Sequence, residues 1–141
     1  MAYERVHTIS DFYDCPREGI ADYQGRAHRF KCQWDNVADD WTRTFALAPV
    51  DETTLRLATE QWELWRAWER SFHAGQVPQS SHPGFGGKNA RYDELEQLIA
   101  ARIQDLKPLD ILLVADFRIA GGQQQPHDRV AREFEVEWRS R

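Results

Sequence analysis

The chain has 141 residues, 41% of them hydrophobic and 12% aromatic, with a formal net charge of −5. That is a single-domain length with enough apolar matter for one core, and its acidic balance argues against a nucleic-acid coat or an anionic membrane surface as partner. No apolar run approaches the ~18 residues of a membrane helix, Met1-Ala2-Tyr3-Glu4 opens without a signal-peptide flank, and Cys15 and Cys32 are too few for a disulfide framework, so a reduced cytoplasmic protein is expected.

Val6 to Ile9 reads as a short first strand. Asp11 to Gly19 mixes turn formers with aromatics and reads as an ordered loop held by Phe12 and Tyr13. Ile20 to Tyr23 and Arg26 to Trp34 flank Gln24-Gly25, a two-residue hairpin connection whose glycine accepts positive φ. With that turn Tyr23 faces Arg26 and Ala21 faces His28. One face of the hairpin then carries Ala21, Tyr23, His28, Phe30, Cys32 and Trp34; the other, for water, carries Asp22, Arg29, Lys31 and Gln33. Asp35 to Asp40 is an acidic turn. Trp41 to Ala48 is a further strand with Trp41, Phe45 and Leu47 inward, closed by Pro49.

Asp51 can cap a helix, with Val50 stapled against Leu55. Thr54 to Leu57 also alternates like a strand, so the helix start is open between Asp51 and Thr59. From Thr59 to Ala74 the pattern is helical. Trp62, Trp65 and Trp68, half of the six tryptophans, share one apolar arc with Leu64 and Phe72 at about 100° per residue. Gly75 provides the left-handed stop. A loop of Pro, Ser and Gly, Gln76 to Lys88, leads to Asn89, a second helix cap. Tyr92, Leu95, Ile99, Ile103 and Leu106 then form an i, i+3, i+4 stripe stopped by Lys107-Pro108. Asp110 to Ala120 reads as a long strand with Ile111, Leu113, Ala115, Phe117 and Ile119 on one face. Gly121 to Asp128 is a polar connection, and the last strand turns Val130, Phe134, Val136 and Trp138 inward and Glu133, Glu135 and Glu137 outward.

The order ββββααββ with hairpin connections at both ends implies an α+β single domain over residues 1–141. The expected architecture is an antiparallel sheet of five or six strands with two helices packed on one face, the tryptophan helix central. A strongly curved sheet or part-barrel is the variant.

No complete catalytic or metal motif is present. His28 and Cys32 stand four apart on a strand, about 13 Å between Cα atoms, too far to share zinc with Cys15 or His7. Asp35, Asp39 and Asp40 lack the oxygen spacing of a calcium loop. Gly84-Phe85-Gly86-Gly87-Lys88 has His82 and Asn89 where a P-loop needs glycine and Ser or Thr, and it follows a helix. There is no Gly-x-Ser-x-Gly elbow, and Cys15 precedes proline without an activating neighbour. No cofactor and no metal are expected. The pattern-breaking polar residues of the central helix are Gln61 and Glu69, which fall inside or at the edge of the tryptophan arc. Glu69 lies one turn before His73, flanked by Trp62 and Trp65, a pair suited to acid–base work or to holding a polar ligand.

Asp11-Phe12-Tyr13-Asp14-Cys15-Pro16-Arg17-Glu18-Gly19-Ile20-Ala21, with Gly25 and His28, and the Trp62-Glu63-Leu64-Trp65-Arg66-Ala67-Trp68-Glu69 helix with His73-Ala74-Gly75 and His82-Pro83, resemble a small bacterial protein family to which no activity is attached. The resemblance covers most of the chain. It has glycine where Cys15 stands, which speaks against a catalytic cysteine, and it implies an architecture but no site.

These residues lead to a non-enzymatic binding or accessory module that recognises another protein, acidic and rich in aromatics that can extend into an interface. The competing reading is a small-ligand enzyme or sensor. Its tryptophan-lined pocket uses Trp62, Trp65, Glu69 and His73 for binding, and Glu69, His73 and His82 for catalysis. Nucleic-acid binding ranks third: Arg26, Arg29 and Lys31 cluster, but Asp22 and the last strand's glutamates dilute their field.

Overall fold

At Gln24-Gly25 both central residues take positive φ, 55° and 76°, the type I′ geometry that matches the twist of two paired strands. The turn fixes the register from Glu18↔Lys31 to Tyr23↔Arg26, the pairing its sequence implies. Around this hairpin, in a computed structural model that describes residues 2–120 and 133–141, six antiparallel strands close into a barrel. They are β1 (Glu4–Tyr13), β2 (Cys15–Tyr23), β3 (Arg26–Asp35), β4 (Asp40–Pro49), β5 (Ile111–Ile119) and β6 (Phe134–Ser140). Each pairs with its neighbour in sequence, and β1 meets β6 through Glu4↔Val136 and Arg5↔Glu135. The expected Gly121–Asp128 connection and the inward Val130 lie outside the described residues.

The strong curvature has a filled interior as its cause. Ala21, Phe30, Cys32, Phe45, Leu47, Leu113, Val136 and Trp138 form the buried cluster, with Val6, Tyr23, Trp41, Ile111, Ala115 and Phe117 packed against it. Four rings interlock at its centre. Phe30 lies 5.6 Å from Phe117 and 5.9 Å from Trp138, and Phe45 lies 5.5 Å from Phe117, in tilted and edge-on pairs. In a six-stranded barrel such side chains occupy the lumen. The Trp138 indole donates to the Asp22 carbonyl at 2.9 Å, which satisfies its one polar atom. The sheet's apolar face is thus turned onto itself, and the α1 tryptophans are not members of this cluster.

Asp11 to Gly19 is strand on both sides of a tight turn, not a loop. Phe12 pairs with Pro16 and Tyr13 with Cys15, with Asp14 at φ 64° between them. The alternation is hidden in the sequence because β1 carries register shifts between Val6 and Thr8 and again between Ile9 and Phe12. Each bulge turns the following side chains to the other face.

The chain divides into two compact units, the barrel (Met1–Asp51 with Leu106–Arg141) and a helical unit (Glu52–Asp105). The helical unit holds α1 (Glu52–His73) and α2 (Ala90–Gln104), separated by two short 3-10 turns, Gln79–Ser81 and Pro83–Phe85. The open start of α1 is resolved at Glu52: the alternation of Thr54 to Leu57 is overridden, and Thr54 is fully buried where the Arg102 guanidinium donates to its hydroxyl at 3.1 Å. Gly75, at φ 73°, ends α1 as expected. Its amide donates to Phe72 O and that of Gln76 to Ser71 O, the paired bonds of a Schellman stop. Asn89 caps α2 by accepting from the Tyr92 amide at 3.0 Å. Gln61 reaches across to Glu96 at 2.5 Å, which accounts for a polar residue at the edge of the tryptophan arc.

Candidate functional site

The residues singled out on α1 gather only in part. His82, from the turn after α1, sits edge-on to Trp65 at 4.2 Å and to Trp68 at 4.6 Å, with Phe85 at 5.0 Å. Its Nδ1 accepts the Gly84 amide at 3.0 Å, which places the neutral ring's proton on Nε2. The Trp68 indole donates to Ser81 Oγ at 2.9 Å. These bonds fold the Pro78–Phe85 chain back onto α1. Glu69 and His73 stand 3.6 Å apart, beyond a good hydrogen bond, and the His73 side chain is 51% exposed. Trp62 lies 6.0 Å from the Arg66 guanidinium. The glycine loop before α2 has its own anion: the Gly87 amide donates to the Asp93 carboxylate at 2.8 Å.

His28 is a structural residue. It is buried, donates from Nδ1 to the Arg26 carbonyl at 2.7 Å and meets Tyr23 edge-on at 5.3 Å. Among the described residues no three His, Cys, Asp or Glu side chains gather as a metal ion would require. Both cysteines are free thiols. Burial pushes each thiol above its ordinary range, and for both the nearby Arg17 cation pulls the other way.

A second constellation lies at one end of the barrel, where the β1–β2 and β3–β4 turns meet. Arg17, on β2, holds this end together. It donates from Nε to the Tyr13 carbonyl at 2.9 Å, points NH1 at the Cys32 sulfur at 3.5 Å, and lies 5.3 Å over the Trp41 ring. Among the described residues it has no carboxylate partner. Trp41 in turn meets Trp34 edge-on at 5.1 Å, and Phe12 meets Phe134 at 5.9 Å. Around these contacts four apolar side chains face solvent: Phe12 at 49%, Tyr13 at 62%, Trp34 at 45% and Val37 at 97%.

The sequence pattern assigned Trp34 to the inner face and Phe12 and Tyr13 to loop anchoring. Trp34 keeps the alternation of Phe30 and Cys32 but pairs with Trp41 beside the β3–β4 turn, at the rim, and the tight turn at Asp14 leaves Phe12 and Tyr13 at its tip. The signal that was there to read is three large aromatics and a valine within or beside two aspartate-rich turns, where solvated polar side chains are the norm. Among the described residues no helix is long and apolar enough to cross a membrane. No family model, no curated protein and no solved structure matches this chain, so the likeness seen in its Asp11–Ala21 and Trp62–Glu69 stretches assigns it neither a family nor a site.

Proposed function

We propose that this chain is a protein-recognition module whose contact surface is the barrel mouth formed by Phe12, Tyr13, Trp34 and Val37. The observation that carries this reading is their joint exposure on a well-anchored frame. Tryptophan, tyrosine and phenylalanine on rigid strand ends supply large contact area at small entropic cost, which is why interface cores favour them. Beneath them the lumen is occupied by Phe30, Phe45, Phe117 and Trp138, so the natural binding surface of the barrel is its rim.

The test compares three tagged proteins as baits in a cell extract: the unmodified chain, Trp34→Ser, and Phe85→Ser. Phe85 is 64% exposed in the helical unit and serves as a control for simple loss of surface hydrophobicity. A partner retained by the unmodified chain and by Phe85→Ser, but lost by Trp34→Ser with the urea midpoint unchanged, supports the mouth. A partner lost only by Phe85→Ser places recognition on the helical unit and overturns the reading.

A further inference from the structure

From the charge around these aromatics we infer that the barrel mouth takes a basic partner segment, one carrying lysine or arginine on either side of an apolar anchor. The inference rests on the mouth being the contact surface and adds the chemistry of its occupant. The two turns that frame the aromatic group, residues 11–14 and 35–40, contain Asp11, Asp14, Asp35, Asp39 and Asp40 and no lysine, arginine or histidine. Asp11, Asp14, Asp39 and Asp40 are exposed. Asp35 accepts the Val37 amide at 2.9 Å and the Ala38 amide at 3.2 Å, and Asp40 accepts the Trp41 amide at 2.7 Å, so both side chains are held at the rim.

Among the described residues, the cations nearest these two turns in sequence are directed elsewhere. Arg17 is turned onto Trp41 and Cys32 inside the mouth. Lys31 faces Glu18 across the β2–β3 ladder, and Arg43 stands on β4 beyond Trp41. An apolar group flanked by two acidic turns selects a partner of the opposite sign: the anchor supplies affinity, and the aspartates supply encounter rate and reject acidic surfaces. The same field disfavours nucleic acid and anionic lipid, and it disfavours a second copy of this chain, whose own rim would bring like charges together.

The conformation of the turns supplies a clean variant. Asp14 and Asp39 have φ of 64° and 53°, the left-handed region that asparagine also enters readily. Asp14→Asn with Asp39→Asn therefore removes two charges and leaves both turns intact. Short random peptides displayed on phage are selected against the full chain, and the binders are measured against three proteins: the unmodified chain, Trp34→Ser, and the double asparagine variant. Selected peptides should carry net positive charge around an aromatic or aliphatic residue and lose binding to Trp34→Ser. They should also weaken roughly tenfold on the asparagine variant, with a similar weakening when salt is raised. Neutral or acidic peptides that still depend on Trp34 would overturn the basic occupant while leaving the mouth as the contact surface. Peptides indifferent to Trp34→Ser, or no enrichment at all, would overturn both. A dimer in sedimentation that Trp34→Ser dissociates would make a second copy the occupant and refute the inference.

Discussion

Gly19 shows how far one position can be fixed by its neighbour strand. It faces Ile9 in β1, between the first two register shifts of that strand, and the close approach there leaves no room for a side chain. A Cβ placed on Gly19 would stand 2.1 Å from the Thr8 carbonyl oxygen and 2.9 Å from its carbon, and both are backbone atoms that cannot rotate away. The Thr8 hydroxyl is itself buried and accepts the Ile20 amide at 3.2 Å, so a shift of β1 would break that bond as well. Gly19→Ala should cost about 1–3 kcal/mol, the range for overpacking, read as a lower urea midpoint. Gly25→Ala tests a different cause, because nothing lies within 4 Å of a Cβ there and only its φ of 76° resists the change. An unaltered midpoint for Gly19→Ala would mean that β1 moves freely over β2, against the register described here.

At the scale of elements, local chemistry and long-range pairing were not equally legible. The β2–β3 hairpin, the Gly75 stop and the Asn89 cap could be read because each is decided within a few residues by φ or by one hydrogen bond. The long β1 could not, because three register shifts break the alternation on which a strand is recognised. Closure could not either, since β1 and β6 come from opposite ends of the chain and nothing in either sequence names the other. The aromatic mouth was missed for a related reason: side-chain alternation assigns a face, not a distance from the end of the barrel. Trp34 belongs to the face of Phe30 and Cys32 and yet is 45% exposed. In the helical unit the same contrast gives a prediction. Asn89→Ala removes the acceptor of the Tyr92 amide and should cost about 1 kcal/mol, because α2 then starts with an unmet donor. Arg91→Ala breaks a two-pronged pair with Glu60, at 2.6 and 2.8 Å, and a contact with Glu94, but all three side chains are exposed. Its cost should be the smaller of the two despite the greater number of bonds, because solvent screens an exposed pair. Thermal melts of the two variants side by side decide the order.

For the molecule as a whole, the buried thiols set a limit on stability at high pH. Cys32 belongs to the barrel core, where burial raises its thiol pKa more than the Arg17 hydrogen bond and charge lower it. Cys15, less enclosed, is raised chiefly by burial as well, and Tyr92 in the helical unit is raised for the same first cause. Each folded-state pKa lies above its unfolded value, so below the unfolded value both states hold the proton and stability is independent of these groups. Above it the unfolded chain releases protons first, and stability falls until the folded groups titrate too. These groups should therefore leave the urea midpoint unaffected up to about pH 8.5, the ordinary thiol value, and lower it beyond. Replacing both cysteines with alanine lowers the whole curve through the lost Cys32 packing, but it should flatten the decline between the thiol and tyrosine ranges. A double variant that keeps the full alkaline slope would assign the decline to the tyrosines and show that the Cys32 thiolate is tolerated inside the barrel. That result would also loosen the account of the mouth, because Arg17 would then be holding a charge and not the neutral sulfur on which its position now depends.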